Sequence, residues 1–130
     1  MTDATTGPSL EQEVARLKSL MWKKSFYVMT RRTLDPAKLA PNALAHYRWI
    51  IELEKQGMVF ASGPLFRRGE MQGVGMTIFR VDTWEQAEAL ALADPFYKSG
   101  AMTFDLMLWQ VNEGRMSIRF DFSDMTFQAE

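Results

Sequence analysis

The chain has 130 residues, 47% of them hydrophobic and 24% charged, and its 15 basic and 16 acidic side chains leave a net charge of −1. This is the balance of a single globular core, and the near-neutral field gives no reason to expect nucleic acid as a partner. With no cysteine and one histidine, disulfides, thiol catalysis and thiolate metal sites are excluded, and a protein-built zinc or iron centre is not expected.

The first ten residues are polar and lack the apolar stretch of a signal peptide. No apolar run approaches the roughly 20 residues that span a bilayer. A cytoplasmic protein with no membrane partner is therefore expected. Ser9 with Gln12 three residues on has the form of a capping box. Leu10, Val14, Leu17 and Met21 then follow at the spacing of one helical face. Residues 25–31 read as a strand, with Phe26, Val28 and Thr30 on one face and Tyr27 and Met29 on the other. Two prolines make residues 32–41 a loop.

Asn42 is a natural N-cap for a helix that runs to about Gln56, and Gly57 is a natural terminator. Its apolar arc contains Leu44, Tyr47, Trp49, Ile50, Ile51 and Leu53, and His46 and Glu54 fall on the same arc. Residues 58–66 form a second strand, which must end, bulge or lie at an edge at Gly63-Pro64. Residues 73–81 form a third, joined to it by a short hairpin connection. Asp82 or Thr83 caps a second core helix, with Gln86 completing a box. That helix stops near Asp94, because Pro95 disfavours helical geometry in the residue before it. Residues 103–111 alternate as a fourth strand.

The order is β-α-β-β-α-β, the ferredoxin-like α+β arrangement in which two helices cover one face of an antiparallel sheet. Its other face carries large apolar side chains, so a homodimer or higher homo-oligomer is expected. Met116, Ile118, Phe120 and Phe122 alternate with polar residues, the pattern of a fifth strand, added to an edge or exchanged with a partner. The expected organisation is a leader and amphipathic helix over residues 1–24, the α+β domain over 25–112, and a strand extension over 113–130. The ten methionines and four tryptophans fill gaps in the core or line a permissive pocket.

The chemistry-bearing pieces are His46, Gly57 eleven residues later, Ser62-Gly63-Pro64, Asp94-Pro95-Phe96 and Gly100. In this order they resemble the YCII-related family, a branch of the dimeric α+β barrel superfamily, over about residues 26–111. The resemblance implies a dimer with its sheets packed face to face, and a cleft where a helix histidine meets the aspartate of an Asp-Pro motif. Here these are His46 and Asp94. It also implies kinship with cofactor-free lyases, including ones that remove chloride from substituted hydroquinones.

An aspartate bonded to one ring nitrogen fixes the tautomer and leaves the other nitrogen for proton transfer. The leading expectation is a small cofactor-independent lyase or isomerase acting on a small organic acid or ring compound, with His46 and Asp94 catalytic. Tyr47, Ser62 and Arg31 are the candidate substrate contacts: an oxyanion donor, a turn hydroxyl and a holder of a substrate carboxylate. Each has a plainer reading, as packing, as a turn serine and as a solvated surface arginine. The alternatives for the whole protein are a non-catalytic ligand-binding or accessory dimer, in which the pair only organises the cleft, and a cofactor-free monooxygenase.

Overall fold

The computed structural model describes residues 7–70, 73–125 and 127–129. Strand β1 (Lys24–Thr33) is an interior strand of a four-stranded sheet whose order is β2 (Val59–Leu65), β3 (Val74–Phe79), β1 and β4 (Met102–Val111). β3 runs antiparallel to both β1 and β2. β2 lies at the edge, where the proline at position 64 removes no interior ladder bond.

Side chains alternate across a strand, so the β1–β3 register sorts them into two faces. Tyr27 stands opposite Phe79, Met29 opposite Thr77 and Arg31 opposite Gly75. The helices α2 (Leu39–Lys55) and α3 (Trp84–Leu92) cover this face. Tyr27, Met29 and Phe79 pack there with Leu53 of α2 and Ala87 and Ala91 of α3. The two alanines let α3 approach the sheet closely. Thr83 caps it with a capping box to Gln86, as the sequence pattern predicts. The opposite face carries Phe26, Phe60 and Trp109, and the rings of Phe60 and Trp109 lie 5.0 and 6.1 Å from that of Phe26. Phe60, Met107 and Trp109 remain partly exposed there.

Three boundaries differ from expectation. α2 begins at Leu39, so Pro41 lies in its first turn and Asn42 is inside the helix, its amide donating to the Lys38 carbonyl at 2.8 Å. The first helical N–H groups have no intrahelical acceptor, so a proline there forfeits nothing. A 3-10 turn over Pro36–Lys38, capped by Asp35, leads into it. At Gly63-Pro64 the edge position is the outcome found, and the register shift in β2 falls earlier, between Val59 and Ala61. Finally, only part of the predicted apolar arc of α2 is covered. His46 and Leu53 are buried, while Leu44, Tyr47 and Ile51 are exposed. Gly57 ends the helix with φ of +79°, a conformation that glycine adopts without Cβ strain.

The chain divides into two compact units, one spanning Ser25–Gln110 and the other made of the two ends, up to Lys24 and from Val111. In the end unit, α1 (Leu10–Ser19) carries the Ser9–Gln12 capping box, and Leu10, Val14 and Leu17 are exposed. Met21 lies beyond its last turn. The tail is not a single strand on the main sheet: β5 (Ile118–Phe120) pairs with β6 (Phe127–Ala129) in a two-stranded sheet of its own. A hairpin satisfies both strands locally, which the alternation around Phe120 does not reveal. No helix among the described residues is long and apolar enough to cross a membrane.

The seating of α2 gives a direct test in urea unfolding. Leu53→Ala should lose about 2–5 kcal/mol, the range for a buried leucine, and Leu44→Ala should stay within about 0.5 kcal/mol. Equal losses would mean that α2 is rotated from the orientation described.

Candidate active site

Asp94 is where the site is built. α3 ends with Ala93 as its C-cap, and Asp94 turns to φ −59°, ψ 122°, the extended geometry that a following proline requires. Asp94 then caps the short helix α4 (Pro95–Lys98), its Oδ1 accepting the Phe96 N–H at 2.9 Å. The same Oδ1 lies 2.8 Å from His46 Nδ1. One oxygen thus both caps α4 and pairs with the histidine.

The other oxygen, Oδ2, accepts from Arg31 Nε at 2.5 Å. Asp94 is fully buried, and Arg31 is only 3% exposed. This overturns the reading of Arg31 as a solvated residue near a turn. β1 continues to Thr33, and the even spacing of Tyr27, Met29 and Arg31 carries the guanidinium onto the helix-covered face. Burial alone would push the Asp94 carboxyl up. The hydrogen bond from His46, the charge of Arg31, that of His46 when it is protonated, and the Phe96 amide together outweigh burial and hold it below its ordinary value. Asp94 is therefore an ionised acceptor, and His46 Nδ1 is the donor in their bond. The ring's Nε2 has no hydrogen-bond partner among the described residues.

A second arm runs along the sheet. Arg31 Nη2 donates to Thr77 Oγ1 at 2.7 Å, and Thr77 Oγ1 lies 2.8 Å from Ser62 Oγ, which donates to the Met76 carbonyl at 3.0 Å. With the Ser62 hydrogen on Met76, Thr77 donates to Ser62, so the chain of donors runs Arg31, Thr77, Ser62 without conflict. The β2 bulge makes this possible. Val59 pairs with Phe79 and Ser62 with Thr77, so residues three apart share a face that a regular strand gives only to residues two apart.

Around the polar cluster, the Phe96 ring stacks on the His46 imidazole at 4.2 Å and 21°. Trp49 lies 5.7 Å from the imidazole and 5.8 Å from the Arg31 guanidinium carbon. Tyr47, edge-on to His46 at 5.3 Å, is largely exposed. His46, Tyr47, Ser62 and Arg31 all line one cavity of about 380 Å³, within the size range of small-molecule sites. Ile50, Ile51, Pro64 and Phe96 supply apolar wall, and Glu54 lines the same cavity. Among the described residues no group of three His, Asp or Glu side chains gathers as a metal ligand set.

The sequence reading brought out His46, Asp94, Arg31, Tyr47 and Ser62, and all but Asp94 border this cavity. It missed Thr77, Phe96 as a ring partner, Trp49 and Gly75. The signal for Thr77 and Gly75 was present as a polar residue and a glycine alternating with Phe79. Reading it required the β1–β3 register, which is a long-range pairing.

The cluster makes two testable statements. Asp94→Asn leaves the buried Arg31 charge without its counter-ion and should lower stability by about 3–5 kcal/mol in denaturant unfolding. Because the folded Asp94 pKa is depressed, its stabilisation is present above the ordinary carboxyl value of 3.8 and is lost as pH falls through the lower folded value. Asp94→Asn should therefore flatten the acid limb of the stability–pH curve; an unchanged limb contradicts the ionised, triply bonded carboxylate.

Comparison with known proteins bears on the family and the fold. No curated protein matches the chain. Among solved structures, it is similar to 5-chloro-2-hydroxyhydroquinone dehydrochlorinase (TftG) from Burkholderia phenoliruptrix AC1100, in complex with 2,5-dihydroxybenzoquinone. The match has a TM-score of 0.57 and 17% identity, and covers 65% of this chain and 93% of the other. It is a likeness of fold. The model of the YCII-related domain matches residues 25–110, so the chain belongs to the YCII-related family.

Proposed function

We propose that this protein is a cytoplasmic, cofactor-independent lyase or isomerase, in which His46 moves a proton on a small organic acid or ring compound and Asp94 orients it. The observation that carries this reading is the division of labour on the imidazole. Nδ1 is held by a buried carboxylate, while Nε2 has no partner among the described residues and belongs to a ring that lines the cavity. A neutral imidazole in that state is a base at Nε2 and, once protonated, an acid at the same atom. It can take a proton from one position of a bound substrate and return it to another, or return it to a leaving group. Arg31 and Asp94 offset each other, so the cluster is electrically neutral before the proton arrives and has a carboxylate against the imidazolium afterwards. Phe96 and Trp49 shield the ring, and Tyr47, Ser62 and Arg31 are the substrate contacts. A planar ring of the kind bound by TftG is compatible with the cavity volume.

The Arg31–Asp94 pair also favours a second reading. The carboxylate already has a counter-ion, so His46 is not needed to balance it, and the pair can serve only to shape a binding cleft. Proton exchange separates the two. With cyclohexane-1,2-dione in D2O, followed by 1H NMR, the catalytic reading expects protein-accelerated exchange of ring C–H that falls about 10²–10⁴-fold in His46→Ala. Exchange that is equal in both forms favours the binding module.

The assembly is a homodimer or higher homo-oligomer, formed through the sheet face that carries Phe26, Phe60, Met107 and Trp109. Phe60, Met107 and Trp109 are incompletely covered within the chain, and a partner's sheet face is complementary in kind. Trp109→Asp should shift sedimentation toward the monomer while keeping the helix-side core. A monomeric native protein would remove this part of the proposal.

A further inference from the structure

Arg31 has one nitrogen that the cluster does not use. Nε serves Asp94 and Nη2 serves Thr77, whereas Nη1 has no acceptor among the described residues. Buried donors are nearly always paired, and this guanidinium belongs to a side chain only 3% exposed. Its surroundings explain the exception. A Cβ added at Gly75 would stand 3.3 Å from Arg31 Nη1 and 3.4 Å from its Cδ, and both residues border the His46 cavity. Position 75 lies on the same sheet face as Arg31 and carries no side chain that could stand against Nη1.

We infer that Arg31 Nη1, uncovered by Gly75, is an oxyanion-accepting pole of this cavity, and that the site takes small planar ring compounds whose carbonyl or hydroxyl oxygen becomes an enolate or phenolate. This rests on His46 being the base of the proposed function and adds the substrate class. With Nε and Nη2 already engaged, Nη1 offers donors to a single oxygen rather than half of the two-pronged clamp that a carboxylate prefers. In the reacting molecule the C–H bond breaks, its proton goes to His46 Nε2, and its electron pair forms a C=C bond. The carbonyl π pair moves onto oxygen, where Nη1 donates to it. Returning the proton at another carbon completes an isomerisation. Because the guanidinium charge is largely offset by Asp94, the pole responds more to charge that develops on the oxygen than to a fixed anion. Gly75 is then a specificity-determining residue, since any side chain there crowds the donor.

The test uses 4-nitrophenol, which absorbs in the visible only when ionised, and involves no turnover, so it stands or falls separately from the role of His46 in catalysis. Bound to the native protein, the phenol should ionise about one pH unit below its free value, a tenfold preference for phenolate. Gly75→Val should abolish that shift while the His46 ring signals, read by NMR, stay unchanged. Arg31→Lys, which keeps a cation near Asp94 but has no Nη1, should abolish it too. A purely structural Arg31 would leave the Gly75→Val shift intact. The assignment is overturned by no binding at millimolar concentration, by ionisation at the free value in the native protein, or by a shift that survives either substitution. Benzoate binding more tightly than 4-nitrophenolate would also overturn it, in favour of a carboxylate pocket.

Discussion

A fully buried carboxylate has to be met by donors on both oxygens, and Asp94 is met from three directions. Arg31 reaches it from β1, His46 from α2 and the Phe96 amide from α4. Since Asp94 itself follows α3, these bonds tie the sheet to α2 and α3 through one side chain. Desolvating a carboxylate and a guanidinium together is unfavourable unless their remaining polar atoms are satisfied. That requirement accounts for Thr77 and Ser62, which complete the network on the sheet side. Nη1 is the guanidinium nitrogen that this network leaves out, on a side chain that borders the cavity.

The sheet has to be irregular in a particular place for this to work. A regular β2 would put Val59, Ala61 and Gly63 on one face. The bulge puts Val59 and Ser62 together on the helix side, so an edge strand supplies both a core aliphatic and the last hydroxyl of the network. Phe60, the extra residue, packs its ring toward Phe26 on the opposite face. The same local irregularity therefore contributes to the cavity side and to the face proposed to meet a partner. On β3, glycine at 75 and threonine at 77 do related work: one leaves room for the Arg31 side chain, and the other bonds its tip.

Local signals in the sequence were legible wherever a residue acts on its own neighbours. The capping boxes at Ser9 and Thr83, the terminator Gly57 and the break before Pro95 each depend on a few adjacent residues, and the structure has them as read. His46 and Asp94 stood out through the resemblance of their ordered motifs to the YCII-related family. The burial of Arg31 was not legible: alternation with Tyr27 and Met29 gives its face, but its partners Asp94 and Thr77 come from distant elements. Thr77 and Gly75 became meaningful only through pairing with β1. Pro41 misplaced the start of α2, since a proline reads as a break although the first turn accepts it. The tail hairpin was hidden because alternation marks a strand without naming its neighbour.

All of this turns on Asp94 holding His46 by Nδ1, and the single histidine allows that to be observed directly. Long-range 15N–1H correlation spectra of the neutral ring report which nitrogen carries the proton. The expected result is a proton on Nδ1 and a bare Nε2 in the native protein, with that preference lost in Asp94→Asn. A neutral ring protonated at Nε2, or one indifferent to Asp94, would contradict the orientation of the base on which the proposed chemistry depends.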